Sequence, residues 1–227
     1  TAKDIVLDGN PQTVVAANNV NMSADTLKQN SGAVVQATTH LDYDATETLN
    51  VFGDIKANTA ILNSLNQLNL GASSKVHVNG HLESFAKNMD LNGDILATRL
   101  NLDALEQLNT NANIEVLENL NLNASSAVLD GQIITNNLTV LVDESIDQEG
   151  EVYVNQDMEV SAKHINQNGI VFADNIQLQA NQRLTQGQSA QLIADQSVIL
   201  NAQEIDMNGI SVAKELDANA QKKLVLG

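Results

Sequence analysis

The densest group of side chains able to hold a cation or move a proton is the acidic run Asp143-Glu144-Ser145-Ile146-Asp147-Gln148-Glu149-Gly150-Glu151. The carboxylates of Asp143, Asp147, Glu149 and Glu151 could supply the several oxygens that Ca²⁺ takes. Their spacing matches neither the EF-hand loop nor the Gly-Gly-x-Gly-x-Asp nonapeptide of calcium β-rolls, so a solvated charged turn is the expectation. Asp42, Asp44 and Glu47 form a weaker group with the same two readings. His77 and His81 are four apart, a zinc spacing on a helix, but Asn79-Gly80 interrupts them and Glu83 is the nearest carboxylate. His40 and His164 stand alone among polar residues. With no cysteine there is no disulfide, thiolate ligand or thiol nucleophile.

Paired acids such as Asp143 and Asp147 are what a polysaccharide lyase or glycosidase would need, inside a cleft. What positions these residues argues against a cleft. A short alternating segment recurs along the chain, ending at Ala86, Ala104, Ala124, Val142, Ala162, Ala180 and Ala202. Successive copies step by 18 to 22 residues, and weaker ones end at Ala24, Ala45 and Ala220. A second series begins with glycine, as in Gly53-Asp-Ile55-Lys-Ala57, Gly93-Asp-Ile95-Leu-Ala97, Gly150-Glu-Val152-Tyr-Val154 and Gly169-Ile-Val171-Phe-Ala173. Each unit therefore holds at least two period-two stretches, separated by Asn, Gly, Asp or Ser, and helix-period patterning is absent.

A short fixed period signals a solenoid in which each unit buries its apolar face against its neighbours. The strand recurs without a mirrored partner, which suits coils stacked in parallel better than antiparallel hairpins. The expected fold is all-β, a parallel β-helix of about eleven coils of ~20 residues. Leu102, Leu122, Val140, Val160, Leu178 and Leu200 should form one inward column, and Ala104, Ala124, Val142, Ala162, Ala180 and Ala202 another. The pairs Asn79-Gly80, Asn92-Gly93, Asn168-Gly169 and Asn208-Gly209 tolerate positive φ and favour corners. Leu62 to Leu70 and Leu100 to Leu108 look like fragments of leucine-rich repeats, but the fixed leucine and asparagine pattern is not kept elsewhere.

Composition agrees. Aromatics make up 2%, so the core must be aliphatic, and the one proline, Pro11, leaves the repeat unbroken over 1–227 as a single segment. Among 30 asparagines, side-chain amides of stacked coils could form ladders, with corner chemistry expected to account for most. The net charge of −17 disfavours nucleic acid and anionic membrane as partners. No apolar run approaches a membrane span. The abrupt finish at Lys-Lys-Leu-Val-Leu-Gly227, without an amphipathic cap, suggests a piece of a longer rod.

The repeated Leu-x-Leu-x-Ala, the following Gly-x-Ile-x-Ala, the near-twenty-residue period, the asparagine richness, the acidic balance and the missing cysteine resemble the haemagglutinin repeats of filamentous haemagglutinin-like exoproteins. That family comprises two-partner-secretion adhesins and the stalk proteins of contact-dependent growth inhibition. The resemblance covers about residues 20 to 220. It implies a right-handed β-helix, passage through an outer-membrane two-partner-secretion transporter, and display as a secreted or cell-surface virulence factor that can meet a receptor on a neighbouring or host cell. No Asn-Pro-Asn-Leu type secretion signature and no toxin-like domain is found, so the expectation is stalk. An enzyme is not expected, because units of 18 to 22 residues leave no room for a loop to wall a pocket. No catalytic, cofactor or metal residue is assigned. A β-helical polysaccharide-active enzyme and a self-assembling structural β-helix are the alternatives.

Overall fold

The computed structural model describes residues 2–9 and 13–227; Pro11 lies outside them. Among the described residues fifteen strands form one sheet, and the strand pairings between successive turns are all parallel. The chain is a parallel β-solenoid of about 12 turns. The turn beyond the expected eleven is contributed by Ala2–Leu7, which pairs with the segment from Ala24 to Gln29.

The asparagine- and leucine-rich turn Asn113–Leu129 shows how the sequence builds a coil. Its 17 residues are extended throughout but bend twice, where the register against Gln132–Gln148 shifts between Val116 and Asn119 and between Ala124 and Ser126. At each bend, consecutive residues face outward, which resets the alternation. The inward positions are Ile114, Val116, Leu120, Leu122, Ala124, Ala127 and Leu129, all buried. Lys75–Leu91, Asp94–Thr110, Ile170–Gln186 and Gln191–Met207 repeat this 17-residue plan. Each coil thus has three segments, called here first, second and third strands, where alternation in the sequence marks two.

The inward columns stack as the repeat requires. Leu102 pairs with Leu122, Leu122 with Val140, Val140 with Val160, Val160 with Leu178 and Leu178 with Leu200. The alanine column from Ala104 to Ala202 is buried throughout. Leu105, at a corner, is 58% exposed, as is its counterpart Leu65 at 59%; these corner leucines produce the leucine-rich appearance of the two runs without a leucine-rich-repeat geometry. One aromatic ring does enter the core: Tyr43 is fully buried, donates its hydroxyl to Gln29 Oε1 at 3.3 Å, and has its phenol pKa pushed up by burial.

The third strand ends on an inward position that is often polar. Gln148, Gln167 and Gln186 stack there, and Gln29 takes the same place near the other end. The amides of Gln29, Gln148 and Gln167 turn toward the next corner. Gln148 Nε2 donates to Gly150 O and Gln167 Nε2 to Gly169 O, both at 2.6 Å, and Gln167 Nε2 also reaches Gln148 Oε1 at 3.1 Å. Gln186 Nε2 donates to Ile210 O at 3.0 Å. The Gln148 and Gln167 bonds tie the end of one coil to the start of the next, and the Gln186 bond reaches one coil further. Gln167→Leu keeps the volume but leaves Gln148 Oε1 without its donor, and is expected to cost about 1–2 kcal/mol in chemical denaturation, since Gly169 O still accepts from Gln191 N.

The corner glycines are required for a reason other than the positive φ their sequence suggests. Among the described residues only Gly32 has positive φ, at 86°. Gly93, Gly131, Gly150, Gly169 and Gly209 occupy the corner between the third strand and the next first strand, where the preceding coil leaves no room for a Cβ. A Cβ on Gly150 would overlap the carbonyl oxygen of Gly131, and one on Gly169 that of Gly150. Close backbone approach, not backbone conformation, selects glycine there.

Candidate functional site

The acidic run wraps around the coil instead of gathering. Asp143 and Glu144 project from the corner between second and third strands, Asp147 lies outward on the third strand, Glu149 sits at the next corner and Glu151 faces out from the following first strand. Three of the five have a partner in a neighbouring coil or nearby. Lys163 Nζ meets Glu144 Oε2 at 2.8 Å, Asn166 Nδ2 donates to Asp147 Oδ1 at 2.6 Å, and Tyr153 OH donates to Glu151 Oε2 at 3.1 Å. The hydrogen bond and charge of Lys163 hold the Glu144 carboxyl below its ordinary range. A lowered carboxyl stabilises the fold above the unfolded pKa and loses that contribution as acid protonates it. The pair is exposed and its effect small.

The remaining sequence candidates are also apart. The corner at Asn79-Gly80 turns His77 onto the first-strand face and His81 onto the second, where its Nδ1 lies 3.4 Å from Glu83. His40 Nδ1 meets Thr59 Oγ1 at 2.9 Å, while Asp42, Asp44 and Glu47 face outward along one coil. Among the described residues, no three His, Asp or Glu side chains come together where a metal could be held. Calorimetric titration of Ca²⁺ into the chain is expected to give no saturable heat; a Kd below about 1 mM would mean that the carboxylates of Asp143 to Glu151 regroup around the ion.

Alignment in register gives the surface its chemistry. Outward asparagines stack into ladders: Asn69 Nδ2 donates to Asn50 Oδ1 at 2.7 Å, and Asn109 Nδ2 to Asp90 Oδ1 at 2.8 Å. Asn121 reaches Asn101 at 2.8 Å on the second-strand face, and at the corners Asn155 reaches Asn136 at 2.7 Å. Ladders, and not corners alone, therefore account for a substantial part of the asparagine content. Sequence position alone could not show this, because a ladder needs the register between coils and the register depends on where each bend falls.

Between the outward columns run open grooves. One of about 480 Å³ on the third-strand face is lined by Phe52, Asn69, Asp90, Asn92, Asn109 and Asp130. Another, about 420 Å³, follows Asn63, Glu83, Phe85, Asn101, Asp103 and Asn121 along the second-strand face. The first-strand face carries one of about 340 Å³ beside Lys75, His77, Asp94, Leu96, Glu115 and Ile134. No protein-family model, curated protein or solved structure matches the chain. What the geometry offers is long, regular, shallow surface, suited to contact along a rod.

Proposed function

We propose that this chain is a stalk segment of a bacterial cell-surface exoprotein, a spacer whose number of coils sets the distance between the envelope and a binding or toxic region. The observation that carries the reading is the coil-to-coil pairing: among the described residues every strand pairs in parallel with its neighbouring turns, and register shifts between coils are confined to the bends. Such a body changes length by whole units without changing its core. Its likeness to haemagglutinin repeats supports export through an outer-membrane transporter of the two-partner route and display toward a receptor on a neighbouring or host cell. A cysteine-free chain suits threading in an unfolded state.

The test is made in cells producing the parent exoprotein. Deleting residues 105–124 joins Ala104 to Ser125 in register, since Ala104 pairs with Ala124. Secretion and folding should survive, and target-cell contact should fall in step with the number of units removed. Contact that is unchanged by removing several units, yet abolished by outward substitutions in one coil, would replace the spacer by a local receptor site.

A further inference from the structure

The outward positions of the first strands form a stripe that the spacer reading leaves unexplained. In one column Leu96, Glu115, Ile134, Tyr153, Phe172, Ile193 and Val212 follow each other coil by coil. Six of the seven are apolar or aromatic, and Ile134 is 38% exposed. The parallel column beside it adds Ile170 and Ile210. Tyr153 and Phe172 stack with ring centroids 5.3 Å apart and planes 3° from parallel, and Glu151 fixes the tyrosine hydroxyl. Their edges are thus held ready at the centre of the stripe, where rigid aromatic side chains carry most binding energy.

The rim is acidic. Asp94, Glu115 and Glu151 lie on the face itself, Asp130 and Glu149 on the corner before it, and Asp174 and Asp195 on the corner after it. From residue 113 to residue 212 the only cations are Lys163 and Arg183. Both are elsewhere, against Glu144 and Asp206. At one end of the stripe Lys214 is engaged with Gln196; at the other Arg99 is engaged with Glu118, while Lys75 and His77 stand in the coil beside Asp94 and Leu96, so the acidic rim belongs to the stripe from Glu115 onward.

We propose that this face docks a cationic, amphipathic helical segment of another protein. Coil stacking uses the backbone groups of the first strands, so a partner cannot add as a strand and must bind through side chains. From Leu96 to Val212 is six strand spacings, about 29 Å, and the two columns are ~7 Å apart. That footprint matches one face of a helix of about 19 residues, ~10 Å wide. It covers ~300 Å², well short of the ~800 Å² per partner of a stable dimer. A second copy would also bring an acidic rim against an acidic rim, and an anionic membrane would be repelled.

The probe is a fluorescein-labelled amphipathic peptide of 18 residues, leucine on one face and lysine on the other, followed by anisotropy with the intact chain. Ile134→Ser with Phe172→Ser should weaken binding at least tenfold while circular dichroism stays unchanged. Leu141→Ser with Ile199→Ser, on the second-strand face, should weaken it less than twofold. Glu115→Gln with Glu151→Gln should weaken binding and flatten its salt dependence, whereas Asp103→Asn with Asp147→Asn should do neither. Equal losses in stripe and control variants would mean that the peptide senses only net charge, and would overturn the proposal. So would a stripe-dependent dimer in sedimentation, or stripe-dependent binding to phosphatidylglycerol vesicles without peptide binding. None of these outcomes depends on the rod acting as a spacer.

Discussion

Leu122→Asp is expected to break the rod locally and to lower its stability by several kcal/mol. The side chain is buried between Leu102 below and Val140 above, neither of which offers it a polar atom. An unpaired carboxylate there must either protonate or admit water, and either costs several kcal/mol out of a total that rarely exceeds about 15. Because coils touch only their neighbours, the loss should appear as early melting of the turns around residue 122, seen as fast amide exchange, while distant coils keep their protection. Asn123→Asp is the control. Asn123 is exposed, between Asp103 and Leu141 in its outward column. A new carboxylate one strand spacing from Asp103 repels it by less than about 1 kcal/mol in water. Equal damage from the two changes would invert the assignment of inside and outside.

The second large effect is steric and falls on a residue without a side chain. Gly150→Ala places a methyl group on the carbonyl oxygen of Gly131. That oxygen accepts a hydrogen bond from Glu151 N at 2.9 Å, so it cannot move aside without opening the ladder. Gly169 repeats the arrangement one coil on, its Ile170 N bonded to Gly150 O at 3.1 Å. We expect Gly150→Ala to cost about 3 kcal/mol, the upper range for overpacking. At Gly187 the atom in the way is the side-chain oxygen of Asn168, which can rotate, and Gly187→Ala should cost less than about 1 kcal/mol. Urea unfolding of the two variants separates close approach from loss of backbone freedom, which would make their costs alike.

These two sites also mark how far the sequence could be read. Leu122 is visible at once, because Leu120-Asn-Leu122-Asn-Ala124 alternates cleanly and recurs in step, and the inward columns follow from that. In several coils the third strand is hidden for a physical reason. In Ile146-Asp-Gln148, Ile165-Asn-Gln167 and Leu184-Thr-Gln186 the last inward residue is polar, satisfied by corner carbonyls that only the closed coil brings near. The corner glycines look like turn glycines in sequence, since the atoms that exclude a Cβ lie one whole coil away. Tyr43 reads as an outlier in an aliphatic series until Gln29 is seen to meet its hydroxyl. The acidic run looks dense along the chain and is dispersed in space, because two corners fall within it. The apolar stripe was spread over seven units as single residues, and the register between coils assembles it.

The most direct measurement of the spacer geometry is a pair of spin labels in this cysteine-free chain, on Asn21→Cys and Gln177→Cys. Both positions are outward in one column that runs through Asp42, Ile61, Glu83, Asn101, Asn121, Thr139 and Glu159. Eight strand spacings separate them, so pulsed dipolar spectroscopy should give a narrow distribution near ~38 Å. Deleting residues 105–124 should move it, still narrow, to ~34 Å. An unchanged distance, or a broad distribution after the deletion, would contradict a rod whose length is counted in coils.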